Sequence, residues 1–580
     1  MHQLTARGLS STLLFSVLLP ALLLATATSL AAQSTAIPPD LRRAADSALS
    51  LNRSAGATGA WGEPTDESRM RQVARTERVA QMLRDISRES LTTADARLLH
   101  DNLAETINGR LGNRVCRGHL WLTPTAFSGW HIAASNWSRN VRVGTAESRA
   151  QALQRLRALP SAIANERALL QRGLDSGFVS SVPVINVVVR QIAELMPADV
   201  SQSPLFAPVT RDSSAEFHAE WAGVLRDTIY PAAQAYAKWL ETEYVPRARA
   251  DGSLTSQRDG IACYRAIMRE RTSVDMDPDK LMAESRREID RIHAMLSPLI
   301  RATTGADVSD GIRILKSDAR FTFSSRDSVL AAYRAMTAEA STRIGRVVEG
   351  FAAESIVVIP YPQFQEVAGL PPSYQRAPDD RSRPAWFLVN LTRTERMAVA
   401  NAAAHEAYPG HHLQRIAASQ ATDIHPVMRT LSVGAFSEGW GIYSEDLGAE
   451  MGLYRTQLDS IGHLVHLLDV AVAYYLDAGT HVRGWSRAAL VDSMYVLGGR
   501  TRAQAADYAD RHAATPGQLA TYYVGYRVIR EARADAERRL GTRFNLPRFN
   551  REVIRHGTIT LTSLRAVLDA WVVKELAGAG

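Results

Sequence analysis

No α-helix can run straight through residues 397–414, MAVANAAAHEAYPGHHLQ. The alanine-rich start favours helix. Pro409, however, has no N–H for the carbonyl of His405, and its ring crowds that carbonyl. Gly410 tolerates whatever backbone results. The stretch therefore predicts a helix that carries His405 and Glu406, bulges by two residues, and resumes with His411 and His412. Bulges of this kind concentrate at functional sites.

The residue types point to a metal. In a zinc helix of pattern H-E-x-x-H, two histidines four residues apart share a face and reach one ion, and the glutamate serves as base for the bound water. Here Pro409 stands at the fifth position. In an unbroken helix, His411 would be rotated about 120° off the face, and His412 would lie about 10 Å along the axis. Zinc–nitrogen bonds are only about 2.0–2.1 Å long. A two-residue bulge returns His411 to the vacant position. His405 and His411 are thus the expected ligands and Glu406 the expected base. His412 is the alternative second ligand, or else lies behind the ligands or beside the substrate.

A catalytic zinc keeps three protein ligands and one open position. The segment FSEGWGIYSEDLGAEMG, residues 436–452, offers Glu438 as the third ligand. Glu445, two turns on, is placed to orient a histidine. Trp440 and Tyr443 mark this helix as packed rather than solvated, and Gly439 and Gly441 suggest close approach.

Composition bounds the rest. The chain has 580 residues, 46% apolar and 22% charged, which is globular and large enough for two lobes. Helical period dominates, for example in the apolar stripe of residues 225–240 with a kink expected at Pro231, after the Asp277-Pro278 helix start, and over 562–576. ESIVVIPYPQF and RPAWFLVNL predict short strands near Ile356–Ile359 and Trp386–Asn390. Residues 54–64 read as a loop. The expectation is a mainly α, two-lobed body with a small sheet: an N-terminal helical lobe over 33–250 and a catalytic lobe over 251–580.

Residues 1–32 read as an export signal. An apolar run from Leu13 to Leu24 is followed by Ser29-Leu30-Ala31, small residues at the two positions a signal peptidase reads. No cysteine follows the run, which argues against a lipid anchor. The expected location is periplasmic or extracellular, with no membrane association once the signal is removed. The net charge of +7 is modest for this length. Four lysines against 63 arginines reflect coding bias, and no basic run is interleaved with aromatics, so nucleic acid is not an expected partner. Cys116 and Cys263 either pair or stay as buried thiols.

On NAAAHEAYPGHHLQ (401–414), SEGWGIYSEDLG (437–448), LDAGTHVRGWSRAALVDSM (476–494) and PGQLATYYVG (516–525), the chain resembles the bacterial domain of unknown function 885 family, which is grouped with zincin metallopeptidases. The likeness covers most of the chain from about residue 250. That family looks like a distant relative of carboxypeptidase Taq and the thimet oligopeptidases. The resemblance therefore implies a gluzincin-like body with a deep cleft. It also implies that Gly410 precedes the second ligand, which again selects His411. It points to Asp477, His481, Arg511 and Tyr522 as supporting residues. Tyr522 and His481 are the expected oxyanion donors, and Arg511 serves substrate charge or structure. The chain departs from the family's usual tyrosine after Arg511 by placing His512 there. If the AWFLVN strand edges the cleft, a peptide could add to it and Asn390 could hold a substrate amide.

These features predict an exported, zinc-dependent hydrolase with one zinc per chain and peptides as substrates. An amidase or esterase on a non-peptide substrate uses the same centre, and a binding protein that retains the fold is the non-enzymatic alternative. Glu406 argues against the last, because a metal scaffold does not need a base. No G-x-S-x-G occurs, against a serine hydrolase, and the HE spacing does not suit a di-iron bundle.

Overall fold

The computed structural model describes residues 37–54, 61, 66–351, 354–361, 366, 370–378, 381 and 383–578. The export signal read over 1–32, and most of the loop read over 54–64, lie outside these residues. The chain is mainly α with one small sheet. Among the described residues no helix is long and apolar enough to cross a membrane.

Local chemistry sets the longest helix. Asp277 caps Pro278–Thr304 by accepting from the backbone N–H groups of Asp279 and Lys280, and Pro278 occupies the first turn. Its buried residues, Leu281, Ser285, Ile289, Ile292, Leu296 and Ile300, recur at steps of three and four and form one stripe. The stripe packs along helix Gln457–His481.

Around Pro231 the helix does not simply kink. Ala215–Val224 passes into a π turn at Leu225–Ile229, continues as Tyr230–Trp239, and enters a second π turn at Leu240–Tyr244. The wider π turn takes up the crowding that the Pro231 ring imposes on the preceding carbonyls. The terminal helix spans Leu561–Leu576.

The sheet has strands β1 (Ile356–Pro360), β2 (Ser373–Gln375) and β3 (Ala385–Val389) in the order β1-β3-β2. β1 runs parallel to β3, pairing Ile356 with Ala385 and Pro360 with Val389. β2 is antiparallel, with Tyr374 opposite Phe387. The AWFLV strand is therefore central and paired on both sides, so the expected addition of a peptide to its edge is not available. β2, only three residues long, carried too little pattern to be read from sequence.

Apolar side chains gather in two main clusters. The larger joins residues of 41–121, with Phe178, to residues of 254–572. The second is drawn from 130–244 and centres on Trp221, Tyr236 and Leu240. Cys116 and Cys263 form a disulfide with a Cα–Cα distance of 4.6 Å.

Candidate metal centre

Helix α1 (Val399–Glu406) ends at its two chemically pointed residues. Ala407 leaves helical geometry at φ −105° and ψ −95°, the Tyr408–Pro409 bond is cis, and α2 (His411–Gln420) begins after Gly410. The interruption is thus a complete break rather than the expected bulge. Its cause is partly tertiary. The Trp440 indole N–H donates to the Pro409 carbonyl at 3.0 Å, holding the turn from another helix. Gly410 passes so close to the end of α1 that a Cβ there would lie 1.8 Å from the His405 carbonyl oxygen. The break still turns His411 onto His405: the rings are perpendicular with centroids 4.8 Å apart.

Helix α3 (Gly434–Glu450) brings the carboxylates. Glu438 Oε2 lies 3.5 Å from His411 Nε2 and 3.9 Å from His405 Nε2. One ligand atom from each of His405, His411 and Glu438 falls within 4.8 Å of the others. Neighbouring ligands of a tetrahedral zinc are about 3.4 Å apart, so a small rotamer closure suits the ion. Two imidazoles and one carboxylate form a borderline-soft donor set, and zinc fits it. Gly441 makes the approach possible, since a Cβ there would meet the His405 ring at 2.6 Å.

His405 uses its second nitrogen elsewhere. Nδ1 lies 2.7 Å from Glu445 Oε1 on the same helix, the carboxylate–histidine arrangement that fixes a ligand's tautomer and orientation. Glu445 is fully buried and also holds His466 Nδ1 at 2.8 Å. His463, on the same helix α4 (Gln457–His481), sits 3.7 Å from Glu445 and 3.1 Å from Asp446. Sequence reasoning missed His463 and His466. Their H-x-x-H spacing on an apolar helix was the available signal. His405, Glu445 and His466 also form a compact triad. Because His405 meets Glu445 through Nδ1 and faces Glu438 through Nε2, the triad serves as the support of the first set.

Glu406 lies within the field of both histidines. Burial raises its carboxyl above the usual range, the charges of His405 and His411 oppose this, and Glu438 reinforces it. Burial pushes Glu438 upward too, but the hydrogen bond and charge of His411 outweigh it, so Glu438 stays below its ordinary value. His411 is raised: burial acts against its charged form, and Glu438 overcomes that.

Tyr522 belongs to the centre. It lies on helix α6 (Ala520–Leu540), where Gly525 and Gly439 meet so closely that α6 crosses α3 with backbone in contact. Its ring stacks toward His405 at 6.5 Å, and its hydroxyl supports the Glu438 carboxylate. Arg511, on helix α5 (Arg502–Ala514), donates to Gln518 at 3.0 Å and acts on Tyr522 by charge.

The other predicted residues are not brought to this point. His481 is fully buried, 3.1 Å from the His512 carbonyl through Nε2, and its Nδ1 accepts from the Leu254 N–H at 3.4 Å. Both nitrogens are thus used by backbone, and the expected oxyanion role does not hold. Asp477 accepts from Tyr264, His512 and the Gly517 N–H, in a separate buried network that anchors the turn before α6. His412 faces away from the ligands, toward Tyr374 and the Glu354 carbonyl at 3.3 and 3.1 Å. The Asn390 amide donates to the Leu370 carbonyl and accepts from Thr392, so it is not offered to a substrate.

The family model described as "Bacterial protein of unknown function (DUF885)" matches residues 47–568. A crystal structure from Colwellia psychrerythraea, provisionally described as a lipoprotein, superposes with a TM-score of 0.82 at 19% identity, covering 92% of this chain and 98% of that one. A second, from Shewanella oneidensis and provisionally described as a lipoprotein of unknown function, gives a TM-score of 0.68 at 17% identity, covering 88% and 94%. At these identities the likeness shows the fold alone. No curated protein matches.

Proposed function

We propose that this chain, which belongs to the bacterial DUF885 family, is an exported zinc-dependent hydrolase acting on peptide bonds. The observation that carries the reading is the convergence of His405 Nε2, His411 Nε2 and Glu438 on one point, with Glu406 beside them. The order His-Glu, second His, then a Glu on a separate helix is the gluzincin arrangement. A bound zinc would supply Lewis acidity, making water a nucleophile near neutral pH and polarising the scissile carbonyl.

The chain's own residues do the rest. His405, His411 and Glu438 would hold the ion, and Glu445 keeps His405 in one tautomer. Glu406 takes a proton from the attacking water and returns it to the leaving amine. Its raised affinity for protons suits both halves of that task. Tyr522, kept protonated by burial and then by the charge of Glu438, offers an O–H to the developing oxyanion. Export is supported by the N-terminal signal pattern and by the Cys116–Cys263 disulfide, which persists in oxidising compartments.

The test is to purify the mature chain, measure bound metal, and follow hydrolysis of a mixed peptide library. Glu406→Gln is expected to keep its zinc and lose at least about a hundredfold in kcat. A variant that stays zinc-loaded and cleaves like wild type would remove Glu406 from the reaction.

A further inference from the structure

Helix α1 brings His405 to the centre on small side chains. Ala402, Ala403 and Ala404 separate Asn401 from His405, and Ala403 and Ala404 are fully buried. Methyl groups let a helix pack closely, but they give its neighbours shallow ridges to grip, so they fix its rotation weakly. The approach is close here: a Cβ on Gly448 of α3 would lie 3.3 Å from the Ala404 Cβ and 2.8 Å from the Tyr454 hydroxyl oxygen.

Asn401 is the polar exception on this helix. It is buried, and it precedes His405 by four residues, so the two share a face. Its amide oxygen lies 3.2 Å from His463 Nδ1 on α4 and 3.1 Å from the Tyr454 hydroxyl. That hydroxyl also donates to the backbone carbonyl of Glu445 at 2.6 Å. His463 Nε2, for its part, stands 3.1 Å from Asp446. Two short routes thus run from Asn401 to the stretch of α3 that bears Glu445. They frame the contact between His405 Nδ1 and Glu445 at 2.7 Å. A buried amide is costly unless bonded, and bonds that cross between helices specify one register among those that close packing allows.

We propose that Asn401 is a positioning residue for the metal centre: it fixes the rotation of α1, so that His405 meets Glu445 through one nitrogen and presents the other to the ion. The inference rests on His405 being a zinc ligand. It adds to the centre a residue that touches neither ion nor substrate.

Zinc affinity of the folded protein, read by chelator competition, tests this. Asn401→Leu keeps the approximate shape and removes the amide, and a loss of about tenfold or more is expected. Tyr454→Phe cuts one of the two routes and is expected to lose less. It also carries the test should the Leu variant fail to fold. The deciding measurement is a double-mutant cycle with Glu445→Gln. Because Asn401 acts through the His405–Glu445 contact, Asn401→Leu or Tyr454→Phe placed on Glu445→Gln should weaken zinc by less than about twofold more. A folded Asn401→Leu with native zinc affinity, or losses that multiply in the double variants, overturns the inference and leaves His405 as a ligand. A wild type that binds no zinc overturns the ligand assignment itself, and the inference with it.

Discussion

At the scale of single residues, three histidines in one short stretch have different tasks. His405 and His411 face Glu438, whereas His412 is turned toward Tyr374 and the Glu354 carbonyl. Metal affinity, measured by chelator competition, is expected to separate them. His405→Ala and His411→Ala abolish binding, and His412→Ala leaves it within a few-fold of wild type. Glu445→Gln keeps the shape but weakens the acceptor for His405, and a loss of about 10- to 100-fold is expected. Equal losses for His411→Ala and His412→Ala would show that the wrong imidazole has been assigned. Residue chemistry was well exposed in the sequence here: an HE pair, a histidine after glycine, and an acid on a packed Gly-Trp-Gly helix. His463 and His466 offered only an H-x-x-H spacing on an apolar helix. Asn390 and His481 had plausible chemistry, but backbone groups far along the chain consume it, which one-dimensional spacing does not reveal.

At the scale of elements, two glycines decide whether α1, α3 and α6 can meet. Gly441 leaves room for the His405 ring, and Gly525 lets α6 press on α3, where a Cβ would lie 1.7 Å from the Ala435 carbonyl. Gly525→Ala must push the helices apart and is expected to cost at least about 1–3 kcal/mol in denaturant unfolding. Gly441→Ala acts locally, so its larger effect is expected on zinc binding, at least about tenfold, with a smaller loss of stability. A Gly441→Ala protein with native metal affinity would show that the His405 ring is not confined by α3. Helix starts and the two longer strands were legible because caps, prolines and periodicity act within a few residues. The break between α1 and α2 was legible as an interruption only, since its form depends on Trp440 reaching across from α3.

At the scale of the whole molecule, the disulfide closes a loop around a second core. Cys116 and Cys263 are 147 residues apart, and the cluster of 130–244 lies between them in sequence. The residues before Cys116 share the larger cluster with those after Cys263. The bridge therefore clasps the two strands of chain that leave the larger core and return to it. Closing so long a loop restricts the unfolded chain, so Cys116→Ser with Cys263→Ser is expected to lower unfolding free energy by about 2–5 kcal/mol. The loss should be uneven. The second cluster keeps its own packing around Trp221 and Tyr236, while the junction at 113–122 and 254–264 loses its tie. Hydrogen exchange on the double variant should show protection falling at the junction and persisting in helix Tyr230–Trp239. Uniform loss across both clusters would mean that the second core depends on the clasp for its own folding. The centre itself lies in the larger cluster, beyond Cys263. Zinc affinity is thus expected to survive the double substitution, separating the stability role of the bridge from the chemistry of the site.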